Sequence, residues 1–393
     1  MNGRKCARAL LVTALLCLPA RVHAQGAGRS MDLPQSVRAE GMGGAGVAVP
    51  WGVVSPWDNP ATLGYQTGWS WAETRQQLVP GLATDVWFRT KRMSAGFGGL
   101  GVSWTGQPGG VGDVDLDYGV SEATDIEGNP LGSFGSFERV RGWGFGVSLA
   151  RTFDTVKGRT GAQSLARYGD VAFGEYFKDC TVSLAPAAAG GSARATNRDW
   201  GVLARVSPSA LLRHGADGVW DADVAFGHSK INSQDRYFTF VNEDVRSLPS
   251  QVSRNGVAVH LSLAQPTAMH MAFAHLPVLS ALGPFVRVTY AHDSDVADAN
   301  GSSSGEWKVQ HDGIEVSFLG VVDLRSGHWT DKLGEIDGAT RGIGFCLPLG
   351  KVAEFRWDYA ETPQAKDSGL EDVKHRGWSM WVNPAEIWRR GGK

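Results

Sequence analysis

Apolar and polar residues alternate with a period of two along most of the chain. At 142–151, Trp143, Phe145, Val147 and Leu149 share one face, while Gly142, Gly144, Gly146, Ser148 and Ala150 share the other. At 220–229, Trp220, Ala222, Val224 and Phe226 oppose Asp221, Asp223, Ala225, Gly227 and Ser229. Val286, Val288 and Tyr290 oppose Arg287 and Thr289. Ile314, Val316, Phe318 and Val322 oppose Glu315, Ser317 and Asp323. At 352–360, Phe355, Trp357 and Tyr359 oppose Glu354, Arg356 and Asp358. Such alternation predicts strands with one apolar and one polar face.

A soluble β-sandwich and a membrane β-barrel both give that pattern. Three features favour the barrel. Trp and Phe crowd the apolar faces near strand ends, the opposite faces carry Gly, Ser and ionised residues, and the strands run about nine or ten residues, the length a tilted membrane strand needs. Fourteen candidates stand at 69–77, 82–90, 93–105, 112–120, 142–153, 172–185, 194–206, 218–231, 251–263, 283–293, 312–324, 340–347, 352–361 and 373–383. An even count suits a single-chain outer-membrane barrel with both ends in the periplasm. Strand parity then puts the apolar segment 264–282, with Met269, Met271, Phe273, Leu276 and Leu279, outside the cell. The same parity puts the long connections 232–250 and 294–311 on the periplasmic side. It turns Cys180 toward lipid and Cys346 toward the lumen, too divergent for a disulfide.

Composition sharpens this picture. Gly accounts for 52 of 393 residues, close to twice the ~7% average, which disfavours a helical bundle. The 15 Trp suit interfacial aromatic belts. Lys plus Arg (38) nearly balance Asp plus Glu (40), so no charge footprint for nucleic acid exists. Arg4, Lys5 and Arg8 precede an apolar stretch at 9–18, and Val22-His23-Ala24 ends it with a small residue; residues 1–24 read as a secretory signal peptide. Cys6 and Cys17 lie within it, which leaves two cysteines and no disulfide scaffold.

The mature N-terminus carries Gly41-Met42-Gly43-Gly44-Ala45, then Asn59-Pro60-Ala61 just before the first strand. This pairing resembles the start of the FadL-type outer-membrane transport proteins and their PorV-like relatives. The closing segments at 342–350, 355–360 and 375–382 resemble theirs as well. The resemblance implies an all-β transmembrane barrel of about fourteen strands at 67–383, a lumenal hatch at 25–66, and a location in the outer membrane of a Gram-negative bacterium. Residues 384–393 would form a periplasmic tail. The residues agree on physical grounds: Gly41, Gly43, Gly44 and Gly46 permit close backbone approach, and Asn59 before Pro60 favours a tight turn. The segment 41–59 is expected inside the periplasmic end of the barrel, obstructing it.

Other motifs fail on context. Gly41 to Gly46 is formally G-x-G-x-x-G but follows no apolar strand. Gly301-Ser302-Ser303-Ser304-Gly305 is formally G-x-S-x-G but sits in a small-residue loop, without the strand and helix of a nucleophile elbow. His270 and His275 lack a third metal ligand. No catalytic constellation, cofactor or metal site is expected.

Two functions remain open. The FadL resemblance implies passive uptake of a hydrophobic small molecule, with outer-membrane lipid as surroundings and the apolar segment 264–282 as collector. The PorV resemblance implies a partner of secretion or surface-attachment proteins that carries no solute. Its lumen would be sealed by a plug of charges formed by Arg205, Asp221, Asp223, Arg287, Glu315, Asp323, Glu354, Arg356 and Asp358. A lumenal charge such as Arg356 is expected to tolerate substitution better than lipid-facing Trp357.

Overall fold

Period-two patterning produces a single antiparallel sheet that closes on itself. In a computed structural model, residues 27–51, 56–106, 114–124, 127–186, 190–212, 219–240, 246–266, 282–298, 306–366 and 368–391 are described. Residues 1–24, expected to be a signal peptide, the segment 267–281 with Met269, Met271, Phe273, Leu276 and Leu279, His270, His275 and the motif at 301–305 lie outside the described residues.

The wall strands are β1 (Gly68–Gln77), β2 (Trp87–Phe97), β3 (Leu100–Thr105), β4 (Val114–Thr124), β5 (Pro130–Ser148), β6 (Gly169–Ser183), β7 (Ser192–Val206) and β8 (Trp220–Ile231). After a small hairpin of β9 (Phe238–Thr239) and β10 (Arg246–Ser247) come β11 (Gln251–Leu263), β12 (Val286–Asp298), β13 (Glu306–Phe318) and β14 (Val322–Asp331). The wall ends with β15 (Ile336–Leu349), β16 (Ala353–Thr362) and β17 (Val373–Val382). Each strand pairs with its neighbours, and β1 pairs with both β2 and β17, which closes the ring. Strands β3 and β4 share one place between β2 and β5. β3 lies along Met93–Phe97 of β2 and β4 along Trp87–Thr90. Together they make one interrupted stave, so the fifteen-stranded sheet is a barrel of fourteen staves.

The agreement in strand number hides two errors that cancel. Segments 82–90 and 93–105 are not two strands: β2 runs through 87–97 and turns at Gly98 and Gly99, both with positive φ. That adds one stave too many. Segment 312–324 is two strands, β13 and β14, joined at 319–321, which removes one. Between the errors every parity is inverted. Residues 264–266 and 282–285 therefore lie at the end that carries Gly68 and Val382, not at the opposite one; Ala264 N–H donates to Val219 and Phe285 N–H to Leu263 at that end. Residues 232–240 and 246–250, and the ends of β12 at Asp298 and β13 at Glu306, belong to the far end. Cys180 is corrected too. It is fully buried beside Ser30 (Sγ–Oγ 3.6 Å) and faces the lumen, as buried Cys346 does; both thiols are free. Segment 142–153 is also corrected: β5 starts at Pro130, and at Ser148 the chain turns into helix α2 (Leu149–Lys157). Ser148 Oγ accepts from Arg151 N–H at 3.3 Å as N-cap.

Outward faces carry a band of exposed large apolar residues, among them Trp143, Phe173, Phe226, Leu261, Ile314, Phe345, Leu347, Phe355, Trp357, Trp378 and Met380. Soluble monomers rarely leave apolar surface contiguous on this scale. Among the described residues the wall closes on itself and the only other sheet is the β9–β10 hairpin, so the sandwich alternative fails. No described helix is long and apolar enough to cross a membrane; the strands form the wall.

Residues 27–51 and 56–66 lie within the ring. It holds a 3-10 turn at Arg29–Met31, helix α1 (Val37–Gly41) and a second 3-10 turn at Pro60–Tyr65. Ser36 caps α1 by accepting from Ala39 N–H at 3.2 Å. Asn59 caps the second turn, with Pro60 at the first helical position where its missing N–H costs nothing. Helix α1 packs on β14 to β17, the second turn on β2, β3, β5, β6 and β7, and the first turn on β4, β5 and β6.

Candidate functional site

The lumen holds this segment by two different means. Along β1, β2, β3, β5, β6 and β7, glycines stand directly opposite one another in register: Gly68, Gly96, Gly101, Gly146, Gly174 and Gly201. The backbone of residues 60–66 lies against Gly96, Gly101, Gly146 and Gly174, and the Asn59 side chain lies against Gly201. A Cβ added at Gly174 would sit 2.2 Å from the Pro60 carbonyl, and one at Gly101 2.0 Å from that of Leu63. Glycine excess in the sequence thus becomes a belt that lets backbone meet backbone. Two more pairs continue the belt, Gly227 with Gly256 and Gly313 with Gly327.

On the other side the contact is ionic. Arg38 of α1 grips Glu315 of β13 with two bonds, Nε to Oε2 at 2.9 Å and Nη2 to Oε1 at 2.7 Å. Arg325 of β14 is fully buried and reaches Glu315 (2.8 Å), Asp358 (2.7 Å) and Asp323 (3.2 Å). Arg356 bonds Asp323 and approaches Asp358 at 3.6 Å and Glu354 at 3.8 Å. Buried charges persist only when paired in this way.

The structure therefore brings Glu315, Asp323, Glu354, Arg356 and Asp358 into one network. Arg287 stands beside it, donating to Ser317 Oγ at 3.2 Å. Arg205 and Asp223 form a separate pair at 2.8 Å. Asp221 is exposed at the rim. Arg356 is only 5% exposed, so the expected tolerance at this position gives way to a structural role.

Sequence reasoning missed the centre of the network. Arg325 shares the parity of Asp323, but the merged segment 312–324 ended one residue short of it. Other charges that hold the plug were missed with it. Glu138 accepts from Gly28 and Ser30 N–H at 3.0 and 2.8 Å. Asp293 accepts from Gly46 and Val47 N–H at 2.7 and 2.9 Å. Lys178 donates to the Met31 carbonyl at 2.9 Å and pairs with Asp199 at 2.8 Å.

The motif residues occupy defined seats. Gly41 lies against Gly342, and Met42 and Ala45 are buried. Gly43 has a φ of +73° and donates to Thr340 Oγ1 at 2.9 Å; a Cβ there would lie 2.5 Å from the Asp312 carbonyl. Gly44 rests on His311. Asn59 donates to the carbonyls of Val47 (2.9 Å) and Val202 (3.1 Å) while its Oδ1 accepts from Ala61 N–H at 3.0 Å. One side chain thus ties two parts of the plug to the wall. Pro60 and Ala61 are buried under it.

A cavity of about 310 Å³ opens between the plug and the wall toward the end remote from the termini. Leu33, Pro34 and Trp57 line it from the plug; Val252, Trp307, Val309, Trp329 and Ile336 line it from the wall. Its floor is polar. Arg254 sits between Asp295 (2.9 Å) and Asp58 (3.4 Å), and His311 lies 3.3 Å from Asp295. Glu40 of α1 also borders the cavity, with Oε2 3.8 Å from His375 Nε2. Burial pushes the Glu40 carboxyl up to about 7, against the opposing pull of His311 and Arg254. Trp57 Nε1 and Trp329 Nε1 are buried without a partner among the described residues. Mostly apolar walls with a few polar groups are the usual make-up of a small-molecule pocket.

A closed antiparallel barrel with a lumenal plug and an apolar cavity above it is the class that these features define. Solved structures similar to the chain include a Pseudomonas aeruginosa FadL homologue, at 10% identity over 89% of this chain and 99% of that one, with a TM-score of 0.43. They also include the deltaS2S3 mutant of the monoaromatic hydrocarbon channel TodX (12%, 89% and 99%, TM-score 0.45) and the Pseudomonas putida toluene transporter TodX (12%, 91% and 97%, TM-score 0.39). No family model matches the chain, and no curated protein does. The barrel assignment rests on the strand order above.

Proposed function

We propose that the chain is an outer-membrane barrel through which small apolar molecules pass without energy input, with residues 41–59 obstructing the lumen at rest. The observation that carries the reading is the cavity at the remote end, lined by three tryptophans and aliphatic side chains and floored by the plug. Its volume of about 310 Å³ stands at the lower limit of ordinary ligand pockets, so the occupant is one ring-sized molecule rather than a long chain. The unpartnered indole N–H groups of Trp57 and Trp329 favour a molecule that also carries an acceptor atom. With both termini of the barrel in the periplasm, as usual for such barrels, the cavity faces the cell exterior. The exposed apolar band supports the membrane, and closure satisfies the backbone there.

The reading of a solute-free secretion partner has less support. It needs a lumen filled by paired charges, whereas the paired charges leave a cavity of about 310 Å³ between plug and wall at the remote end. Two measurements test the proposal. Mass spectrometry of the detergent-extracted protein should find a small apolar molecule, and a stoichiometric protein in its place would favour the partner reading. Deleting residues 41–59 should raise planar-bilayer conductance while the barrel keeps its heat-modifiable mobility; a folded deletion that conducts no better than the intact chain would rule out obstruction.

A further inference from the structure

The outward face of the wall carries a row of arginines at one level. In register across β17, β1, β2, β4 and β5 stand Arg376, Arg75, Arg89, Asp115 and Arg139. Directly opposed side chains in a sheet lie about 5 Å apart at Cβ, and like charges there repel. The row holds four guanidinium groups and one carboxylate. Asp115 is shared by Arg89 (3.1 Å) and Arg139 (2.7 Å). Among the described residues, neither Arg75 nor Arg376 has an ion-pair partner; Arg75 lies over the Trp87 ring at 3.7 Å. The nearby carboxylates are engaged elsewhere: Glu73 with Lys91, Glu371 with Lys374, and Glu361 with the Tyr359 hydroxyl. All three central arginines are exposed.

Their height matters as much as their charge. Toward the termini the same faces turn aromatic and apolar: Trp378 and Met380 on β17, Trp69 and Trp71 on β1, Met93 and Phe97 on β2. Trp71 and Trp378 stack at 6.2 Å between centroids. Tryptophans mark the membrane–water boundary, and the row stands between Trp71 and Trp378 on the side of the termini and Trp87 on the remote side, which puts it at the headgroup level of the leaflet remote from the termini.

We propose that Arg376, Arg75 and Arg89 form a docking site for the phosphate groups of a phosphorylated lipid in the outward-facing leaflet. Phosphate supplies the missing negative charge, and planar guanidinium forks bind it in bidentate fashion. The site rests on the membrane reading above and is independent of what passes through the lumen.

The test uses full-length protein in maltoside micelles, with a bis-phosphorylated acylated disaccharide (lipid A) as probe and the same lipid stripped of phosphate as control. Native mass spectrometry should show at least tenfold tighter binding of the phosphorylated form. The double variant Arg75→Gln, Arg376→Gln should lose at least tenfold of that binding, and Arg75→Lys, Arg376→Lys should keep most of it. Without lipid, the Gln variant should be at least as heat-stable as the native chain, because a repulsion has been removed. Equal binding of the two lipids, unchanged binding by the Gln variant, or a lower lipid-free melting point for it would overturn the site. Displacement of the lipid by low-millimolar inorganic phosphate would overturn the assignment to a lipid. Failure of the native chain to run as a heat-modifiable barrel would instead remove the membrane reading itself.

Discussion

Two parts of the plug, residues 59–66 and helix α1, are held by opposite physics. On the β2–β7 side, glycines admit the 60–66 backbone to contact distance, and the fit is one of shape. On the β13–β16 side, Arg38 and Arg325 enter a cluster of Glu315, Asp323 and Asp358, and the fit is one of charge. Shape tolerates no added atom yet is indifferent to pH. Charge tolerates side-chain movement yet depends on every partner staying ionised. A plug seated this way has a rigid flank and a titratable flank.

The sharpest way to break the contrast is Arg325→Met. It leaves three buried carboxylates to Arg38 and Arg356, and loss of one partner from a buried ion cluster costs about 3–5 kcal/mol. Detergent unfolding should show that loss near neutral pH and a smaller one in acid, where carboxylates protonate. A loss that is constant with pH would mean that the charged flank works by packing.

Gly174→Ala addresses the other flank. The new methyl meets the Pro60 carbonyl, a backbone atom with little room to move. Overpacking of this kind costs about 1–3 kcal/mol. Limited proteolysis should cut the plug faster in this variant, by the same factor at every pH. A variant as resistant as the native chain would show that the belt is not in contact.

Glu40→Gln acts only through pH and refines the comparison at α1. The carboxyl is raised from an ordinary value near 4.5 to about 7, so its neutral form is favoured in the folded protein. The stability that this contributes is full below about pH 4.5 and is lost as pH rises through 7. The native chain and the Gln variant should therefore match in acid, and the variant should become the more stable between pH 4.5 and 7. A difference that stays flat across that window would remove Glu40 from the pH response.

Strand existence was legible because a two-faced wall imposes period two on the residues. Strand boundaries were hidden wherever a turn lacked turn chemistry. The β13–β14 connection is Leu319-Gly320-Val321, in which Leu319 takes a φ of +55°; no Asn, Asp or Pro announces it. The β2–β3 turn uses Gly98 and Gly99, but in a chain this rich in glycine the pair looks like more wall. The first half of β5 carries Pro130, Gly132 and Gly135 and reads as loop. The plug motifs were visible from Gly and Asn–Pro, while their anchors Glu138, Lys178, Asp293 and Arg325 lie far along the chain and become neighbours only on closure. The cavity followed from no motif, since its walls come from the plug, from six wall strands and from two of their connections.

The glycine belt also bears on the order of assembly. Glycine in a strand lowers the stability of the sheet, because it gives up more chain freedom and offers no side chain to a neighbour. A ring of them makes the empty wall a poorer barrel than its length suggests. The loss is recovered only when the 60–66 backbone fills the space that the missing side chains leave. That stretch precedes every wall strand in the chain, so it is already made when the last strand meets the first. The N-terminal segment thus acts as a mandrel: the wall closes around it, and the seam between β1 and β17 sets once the belt is occupied.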